Sequence, residues 1–118
     1  MSALWRRARE IQEERLREAI QLVRAYLAEL GKLIEIREAY LFGSIARGDS
    51  LDTSDIDLLV VSPSVRGMRP DERRHLAYSV WRARRAADII VLTPEELEEA
   101  LEKSVILRDA SKYWVRVA

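Results

Sequence analysis

The sequence predicts a mixed α/β (α+β) fold in which helices flank a small β-sheet. Three observations support this prediction: a long amphipathic segment comes first, three short aliphatic segments follow it, and charged helical segments lie between or after them. At 118 residues the chain has room for one modest core, so we expect residues 1–118 to form a single domain. Its lack of cysteine excludes disulfides, cysteine-rich zinc sites and thiol catalysis.

The first predicted element is a long helix over the first thirty residues. Gly31 is typical of the position that ends such a helix. Residues 33–42 alternate loosely and end in Ala-Tyr-Leu-Phe, which predicts the first strand. The apolar residues of the helix recur at spacings of three and four and would form one stripe: Leu16, Ala19, Ile20, Val23, Tyr26, Leu27 and Leu30.

A polar segment separates the first strand from the second. Residues 43–53 contain Gly, Ser and Asp and predict a loop with at most a short helix. Residues 55–61 predict the second strand, and Pro70 predicts the start of a helix over about residues 71–85. Residues 87–92 predict the third strand.

The last quarter of the chain begins with a clear helix signal. Thr93-Pro94-Glu95-Glu96 forms a capping box, and the helix that it starts should end near Lys103. The tail after Lys103 is ambiguous, although its Tyr-Trp-Val-Arg-Val is compatible with a late edge strand.

Two aspartates lie at the start of the second predicted strand. Residues two apart in a strand point to the same face, so Asp55 and Asp57 should project together while Ile56 points into the core. Two such carboxylates repel each other unless a cation lies between them. Since only oxygen ligands are available, the pair favours Mg²⁺ or Mn²⁺ over zinc.

Asp88 begins the third predicted strand at a position that matches Asp57. If the two strands are neighbours, Asp88 completes a triad of carboxylates. Such a triad can hold two metal ions about 3.5–4 Å apart for in-line attack at phosphorus. Two alternatives stay open: Asp88 could be a solvated strand end, or it could pair with Arg84 or Arg85.

The loop before the aspartates has the composition of a phosphate-binding turn. Gly43 would let the backbone approach a phosphate, and Ser44 would offer a hydroxyl and a backbone N–H. Arg47 could form a two-pronged contact with phosphate. The alternative is that Arg47 pairs with Asp49 or Asp52.

Together these residues resemble the signature of a known family. Gly43-Ser44, Arg47-Gly48 and, after a ten-residue gap, Asp55-Ile56-Asp57 are similar to the motif of the DNA polymerase beta-type nucleotidyltransferase superfamily. The short chain resembles its minimal nucleotidyltransferase (MNT) branch, and the likeness covers residues 41–92. It implies a small mixed sheet flanked by helices, and metal-dependent transfer of a nucleoside monophosphate from a nucleoside triphosphate to a hydroxyl group. We expect the transferred group to be AMP and the donor to be ATP.

The resemblance also implies roles for individual residues. Asp55 and Asp57 would be catalytic metal ligands, and Asp88 would be the third carboxylate. Ser44 would contact the triphosphate. The cofactor would be Mg²⁺ or Mn²⁺.

The same resemblance implies a protein partner. Members of the branch commonly pair with a small helical HEPN toxin, and some add AMP to one of its tyrosines, which makes them antitoxins. The alternative is a binding module that neutralises its partner by covering it, with the long first helix as the docking surface. Transfer to a small molecule would need a further domain, so the acceptor pocket should come from a partner or from a second copy of the chain.

The overall charge and hydropathy limit the other partners. The formal net charge is zero, which argues against a dedicated nucleic-acid binder. The aliphatic runs are too short to span a membrane. The sequence therefore predicts a cytoplasmic protein.

Overall fold

The computed structural model describes residues 2–118, and within them the chain forms five α-helices and four strands. In chain order these are α1 (Ala3–Leu30), β1 (Glu38–Phe42), α2 (Gly43–Arg47), β2 (Ile56–Val61), α3 (Pro70–Ser79), β3 (Ala87–Leu92), α4 (Pro94–Lys103), α5 (Val105–Ser111) and β4 (Val115–Arg116). None of the helices within residues 2–118 combines the length and the hydropathy that a membrane span requires.

The strands form one mixed sheet in the order β3-β2-β1-β4. β1 runs antiparallel to both β2 and β4, whereas β2 and β3 are parallel. The parallel pair begins at one end of the sheet, and its register places Asp57 opposite Asp88. The predicted mixed sheet is therefore confirmed, and so is the expectation that the second and third strands are neighbours with matched ends.

The two faces of the sheet are covered to different extents. One face carries the main core, in which side chains such as Leu41, Leu58 and Val91 pack with α1 and α3. The other face has a smaller cluster in which Leu59 packs with Leu97 of α4. Asp57 and Asp88 alternate onto this second face, because residues two apart in a strand share a face.

Two predicted boundaries were wrong. The first strand begins at Glu38 rather than near Leu33, because the chain after α1 continues in helical turns that place Ile34 in the core. The helix predicted over about 71–85 ends at Ser79. The indole of Trp81 donates to the carbonyl of Arg85 at 2.9 Å, which closes a turn in place of further helix.

Asp55 and the tail also differ from the expected assignments. Asp55 lies just before β2, which begins at Ile56. The tail contains α5, a helix that the sequence did not predict because none of its residues is buried and it begins with the β-branched pair Val105-Ile106. The late edge strand is present as Val115–Arg116.

Candidate active site

The turn from β1 into α2 lies directly against Asp57. Antiparallel pairing puts Phe42, the last residue of β1, opposite Asp57, so the next residue, Gly43, is next to the aspartate side chain. Gly43 has a φ of 75°, and a Cβ placed on it would lie 2.1 Å from Asp57 Oδ2. The carboxylate therefore occupies the space that any other side chain at position 43 would need, which explains why the sequence has glycine there.

Asp57 lies in an environment that disfavours its charge. Partial burial raises the pKa of Asp57, and the negative charges of Asp88 and Asp55 raise it further. Arg47 acts in the opposite direction and lowers this pKa. A carboxyl group under this combination of desolvation and like charge is typical of a functional site, and a cation near it would relieve both effects.

The carboxylates of the three aspartates do not form a closed cluster. Among residues 2–118, no three acidic, histidine or cysteine side chains are close enough together to hold a metal ion. Asp57 and Asp88 are nevertheless paired on neighbouring parallel strands, whose backbones run about 4.8 Å apart. Their side chains could therefore approach each other by rotation alone, without movement of the sheet. The metal-binding roles of Asp55, Asp57 and Asp88 stay a prediction.

Ser44 lies in α2, a short helix of five residues, and its side chain is linked to the segment that leads into β2. Its hydroxyl donates to Ser54 Oγ at 3.2 Å. The same Ser54 oxygen accepts a hydrogen bond from the backbone N–H of Leu51 at 2.8 Å. The glycine-serine turn and the return to the aspartates are thus connected by side chains as well as by sequence.

Arg47 makes one of the two contacts that the sequence left open. Its Nε lies 3.3 Å from Asp49 Oδ2, and both side chains are largely exposed. An exposed ion pair of this kind contributes about 0–1 kcal/mol, so it holds Arg47 only weakly. The same guanidinium is close enough to Asp57 to lower the pKa of that carboxyl group. Arg47 could therefore contact an anion bound beside the aspartates.

The sequence did not identify the side chains that fix the return segment, residues 48–55 between α2 and β2, and Gln12 and Arg85 are two of them. Gln12 of α1 pairs with Ser50 in both directions, since its Nε2 donates to the Ser50 carbonyl at 2.9 Å and its Oε1 accepts from the Ser50 N–H at 2.9 Å. Arg85, considered as a partner of Asp88, instead donates to the carbonyl of Ser54. Both contacts join residues more than thirty positions apart, so no local pattern could have revealed them.

Comparison with known proteins identifies the family. A family model described as "Nucleotidyltransferase domain" matches residues 20–115, which include β1, β2, β3, the first residue of β4 and all the predicted site residues. The chain belongs to this family. The match begins inside α1, so the first half of that helix lies outside it.

Two relatives agree with this assignment. A crystal structure of a candidate nucleotidyltransferase from Sulfolobus solfataricus is similar to this nucleotidyltransferase with a TM-score of 0.64 and 32% identity, over 75% of this chain and 78% of that one. A bifunctional uridylyltransferase/uridylyl-removing enzyme from Corynebacterium glutamicum is 39% identical over 54 residues, which make up 46% of this chain and 8% of that enzyme. The expectation of a polymerase beta-like nucleotidyltransferase fold is therefore confirmed.

A groove lies beside α2, the helix that follows the glycine-serine turn of this nucleotidyltransferase. It has a volume of about 550 Å³ and lies between the first half of α1 and α2. Trp5 and Leu16 supply apolar side chains to the groove wall, and Arg47 of α2 lines the groove as well. The helix segment outside the family match thus contributes to the surroundings of the site.

Proposed function

We propose that this nucleotidyltransferase transfers AMP from ATP to a protein hydroxyl in the cytoplasm, with Mg²⁺ or Mn²⁺ as cofactor. The single observation that supports this best is the contact between Gly43 and Asp57, with Asp88 opposite Asp57 in the sheet. It brings a turn suited to phosphate and a pair of carboxylates into one place, which nucleotidyl transfer requires.

The donor set fits the proposed metal. Asp55, Asp57 and Asp88 offer only carboxylate oxygens, which Mg²⁺ and Mn²⁺ prefer. The raised pKa of Asp57 agrees with a group whose charge needs a counter-ion. When bound, the metal would supply positive charge to the triphosphate and to the leaving pyrophosphate.

The chain's own residues would bind and orient the substrates. Gly43 lets the triphosphate approach the backbone, and Ser44 can turn its hydroxyl from Ser54 towards a phosphate oxygen. Arg47 can exchange its weak pairing with Asp49 for a phosphate contact. In the transfer step the acceptor oxygen bonds to the α-phosphorus, the bond to the β-phosphate breaks, and pyrophosphate leaves.

The proposed acceptor is a tyrosine of a HEPN-type toxin, so that transfer would make the protein an antitoxin. The face that carries the aspartates supports a large acceptor, because it is open next to them: Asp88 is exposed and Ile90, two residues along β3, is 39% exposed. Asp88 would orient the attacking hydroxyl and accept the proton that it loses when its oxygen bonds to the α-phosphorus. A side chain presented by another protein could reach this face without passing through a channel.

The test is a transfer assay with the HEPN partner protein, Mg²⁺ and ATP labelled at the α-phosphate. We expect label on the partner with the wild-type protein and a loss of more than about 100-fold with Asp57→Asn, since even residues that only support metal ligands are worth 10–100-fold. Asp109→Asn, at an exposed aspartate of α5, is the matched control and should retain full transfer. Equal transfer by Asp57→Asn and wild type would refute the proposed site.

A second candidate function is neutralisation by binding alone. The observation in its favour is the exposure of large apolar side chains at the start of α1, where Leu4 is 78% and Trp5 is 68% exposed. If binding alone neutralises the toxin, Asp57→Asn should protect as well as the wild-type protein does. Loss of protection together with loss of transfer would favour the enzyme.

A further inference from the structure

We infer that Arg85 is a positioning residue for the proposed metal and nucleotide site, acting through the backbone of Ser54. The inference rests on the proposed function, because it concerns how Asp55 and Ser44 are held for their roles. It concerns a residue that lies outside the glycine-serine turn and the aspartate pair.

The guanidinium of Arg85 makes two hydrogen bonds to the carbonyl oxygen of Ser54. Arg85 Nη2 donates to the carbonyl oxygen of Ser54 at 2.9 Å, and its Nε donates to the same oxygen at 3.3 Å. The guanidinium is partly buried at this point. A hydrogen bond from a charged donor to a carbonyl is stronger than one from a neutral donor. When the contact is partly buried, water replaces it poorly.

Asp55 depends on this contact because it lies outside the sheet. β2 begins at Ile56, whose N–H donates to the carbonyl of Ala86 at 3.0 Å. Arg85 fixes the residue before Asp55, and Ala86 fixes the residue after it. The backbone of Asp55 is therefore held on both sides by two consecutive residues at the entrance to β3.

The same contact reaches the phosphate-binding turn through the side chain of Ser54. Ser54 Oγ accepts hydrogen bonds from the Ser44 hydroxyl at 3.2 Å and from the Leu51 N–H at 2.8 Å. Ser54 thus joins three parts of the site: its carbonyl meets Arg85, its hydroxyl meets Ser44, and its peptide bond leads to Asp55. If Arg85 releases the carbonyl, both Asp55 and Ser44 lose a fixed neighbour.

The neighbouring residue offers a matched control. Arg84 precedes Arg85, carries the same charge and is exposed, whereas Arg85 is partly buried on Ser54. Removing Arg84 takes one positive charge from the same loop without touching the Ser54 carbonyl. A comparison of the two therefore separates the positioning contact from a general loss of positive charge near the acidic site.

The experiment measures Mn²⁺ binding by electron paramagnetic resonance, with and without ATP, alongside thermal unfolding. We expect Arg85→Ala to weaken Mn²⁺ binding by about 10- to 100-fold, the usual effect of losing a residue that orients metal ligands. Arg84→Ala should stay within about twofold of wild type, a limit set by screened surface charge. Arg85→Lys keeps one donor for the carbonyl and should recover part of the loss.

The outcomes separate this inference from the proposed function. If Arg85→Ala binds Mn²⁺ as tightly as the wild-type protein does, the positioning role is overturned and the proposed function is not. Equal losses of Mn²⁺ affinity in Arg84→Ala and Arg85→Ala would also overturn the positioning role. So would an Arg85→Ala protein that melts at a lower temperature but binds Mn²⁺ with full affinity at temperatures where it is still folded. If the wild-type protein binds no Mn²⁺ even with ATP, the proposed metal site falls and the inference falls with it.

Discussion

At the scale of single residues, the site depends on a glycine that has no side chain to collide with Asp57. Gly43 and Gly67 have almost the same positive φ, 75° and 81°. They differ in their surroundings, since a Cβ at Gly43 would meet the Asp57 carboxylate whereas one at Gly67 would meet no atom within 4 Å. Alanine substitutions at the two glycines therefore separate the cost of a positive φ from the effect of displacing the Asp57 side chain.

We therefore predict that Gly43→Ala disrupts the site more than it destabilises the fold. Both Gly43→Ala and Gly67→Ala should cost about 1–2 kcal/mol of unfolding free energy, because alanine resists a positive φ. Only Gly43→Ala should weaken Mn²⁺ or ATP binding, by more than about 10-fold, since its methyl group would push the Asp57 side chain away. Chemical denaturation and titration of the two variants check this; equal ligand affinities would contradict it.

The sequence could predict these residues because the signals were local. Glycine, serine and the aspartates lie within fifteen positions of one another, and their spacing is typical of a phosphate turn followed by a strand. The position of Asp88 also followed from local pattern, once the two aliphatic runs were taken as neighbouring strands. Gln12 and Arg85 could not be found in this way, because their partners are 38 and 31 positions away and their choice of partner depends on the folded arrangement.

At the scale of elements, the junction of β3 and α4 is held by charge as well as by packing. Glu96 closes the capping box of α4 by accepting from the Thr93 N–H at 2.8 Å, and it pairs with Arg73 of α3 at 2.7 Å. Arg73 also donates to the carbonyl of Val91 on the free edge of β3. One carboxylate thus connects the start of α4 to α3, and the arginine connects α3 to the sheet.

This arrangement predicts a specific acid dependence. The hydrogen bond from Arg73 lowers the pKa of Glu96 below its ordinary value of 4.5. A carboxyl group whose pKa is lowered in the folded state stabilises the fold above that ordinary value, and the contribution disappears as the pH falls through the lower, folded value. Glu96→Gln keeps the capping box but removes the charge, so the wild-type protein should exceed it in stability at pH 7, by at most about 1 kcal/mol.

The difference should shrink as the pH is lowered from 7 to 3. Urea denaturation of both proteins across this range measures it. Glu98→Gln, at an exposed glutamate of the same helix, is the control for adding an amide to α4 and should show a smaller difference at every pH. A difference between wild type and Glu96→Gln that is constant with pH would show that the charge of Glu96 does not stabilise the junction.

At the scale of the whole molecule, α1 serves two purposes along its length. A helix of 28 residues is about 42 Å long, comparable with the longest dimension of the molecule, 52 Å. Its buried residues begin at Ala19, so only the second half belongs to the main core. Between the two halves, Gln12 and Arg15 hold Ser50, which is 3% exposed, and so fix the return segment that leads to the aspartates.

This division predicts that most of the first half of α1 is dispensable for folding. Deletion of residues 2–9 should change the unfolding free energy by less than about 1 kcal/mol, because every side chain in that range is exposed. Gln12→Ala, a single substitution, should cost about 1–3 kcal/mol, because it leaves the buried Ser50 N–H without its partner. Gln21→Ala, at an exposed position of the same helix, should be near neutral. Denaturant unfolding of the three variants provides the comparison, and a deletion more harmful than Gln12→Ala would show that the start of α1 stabilises the fold through contacts other than this pairing.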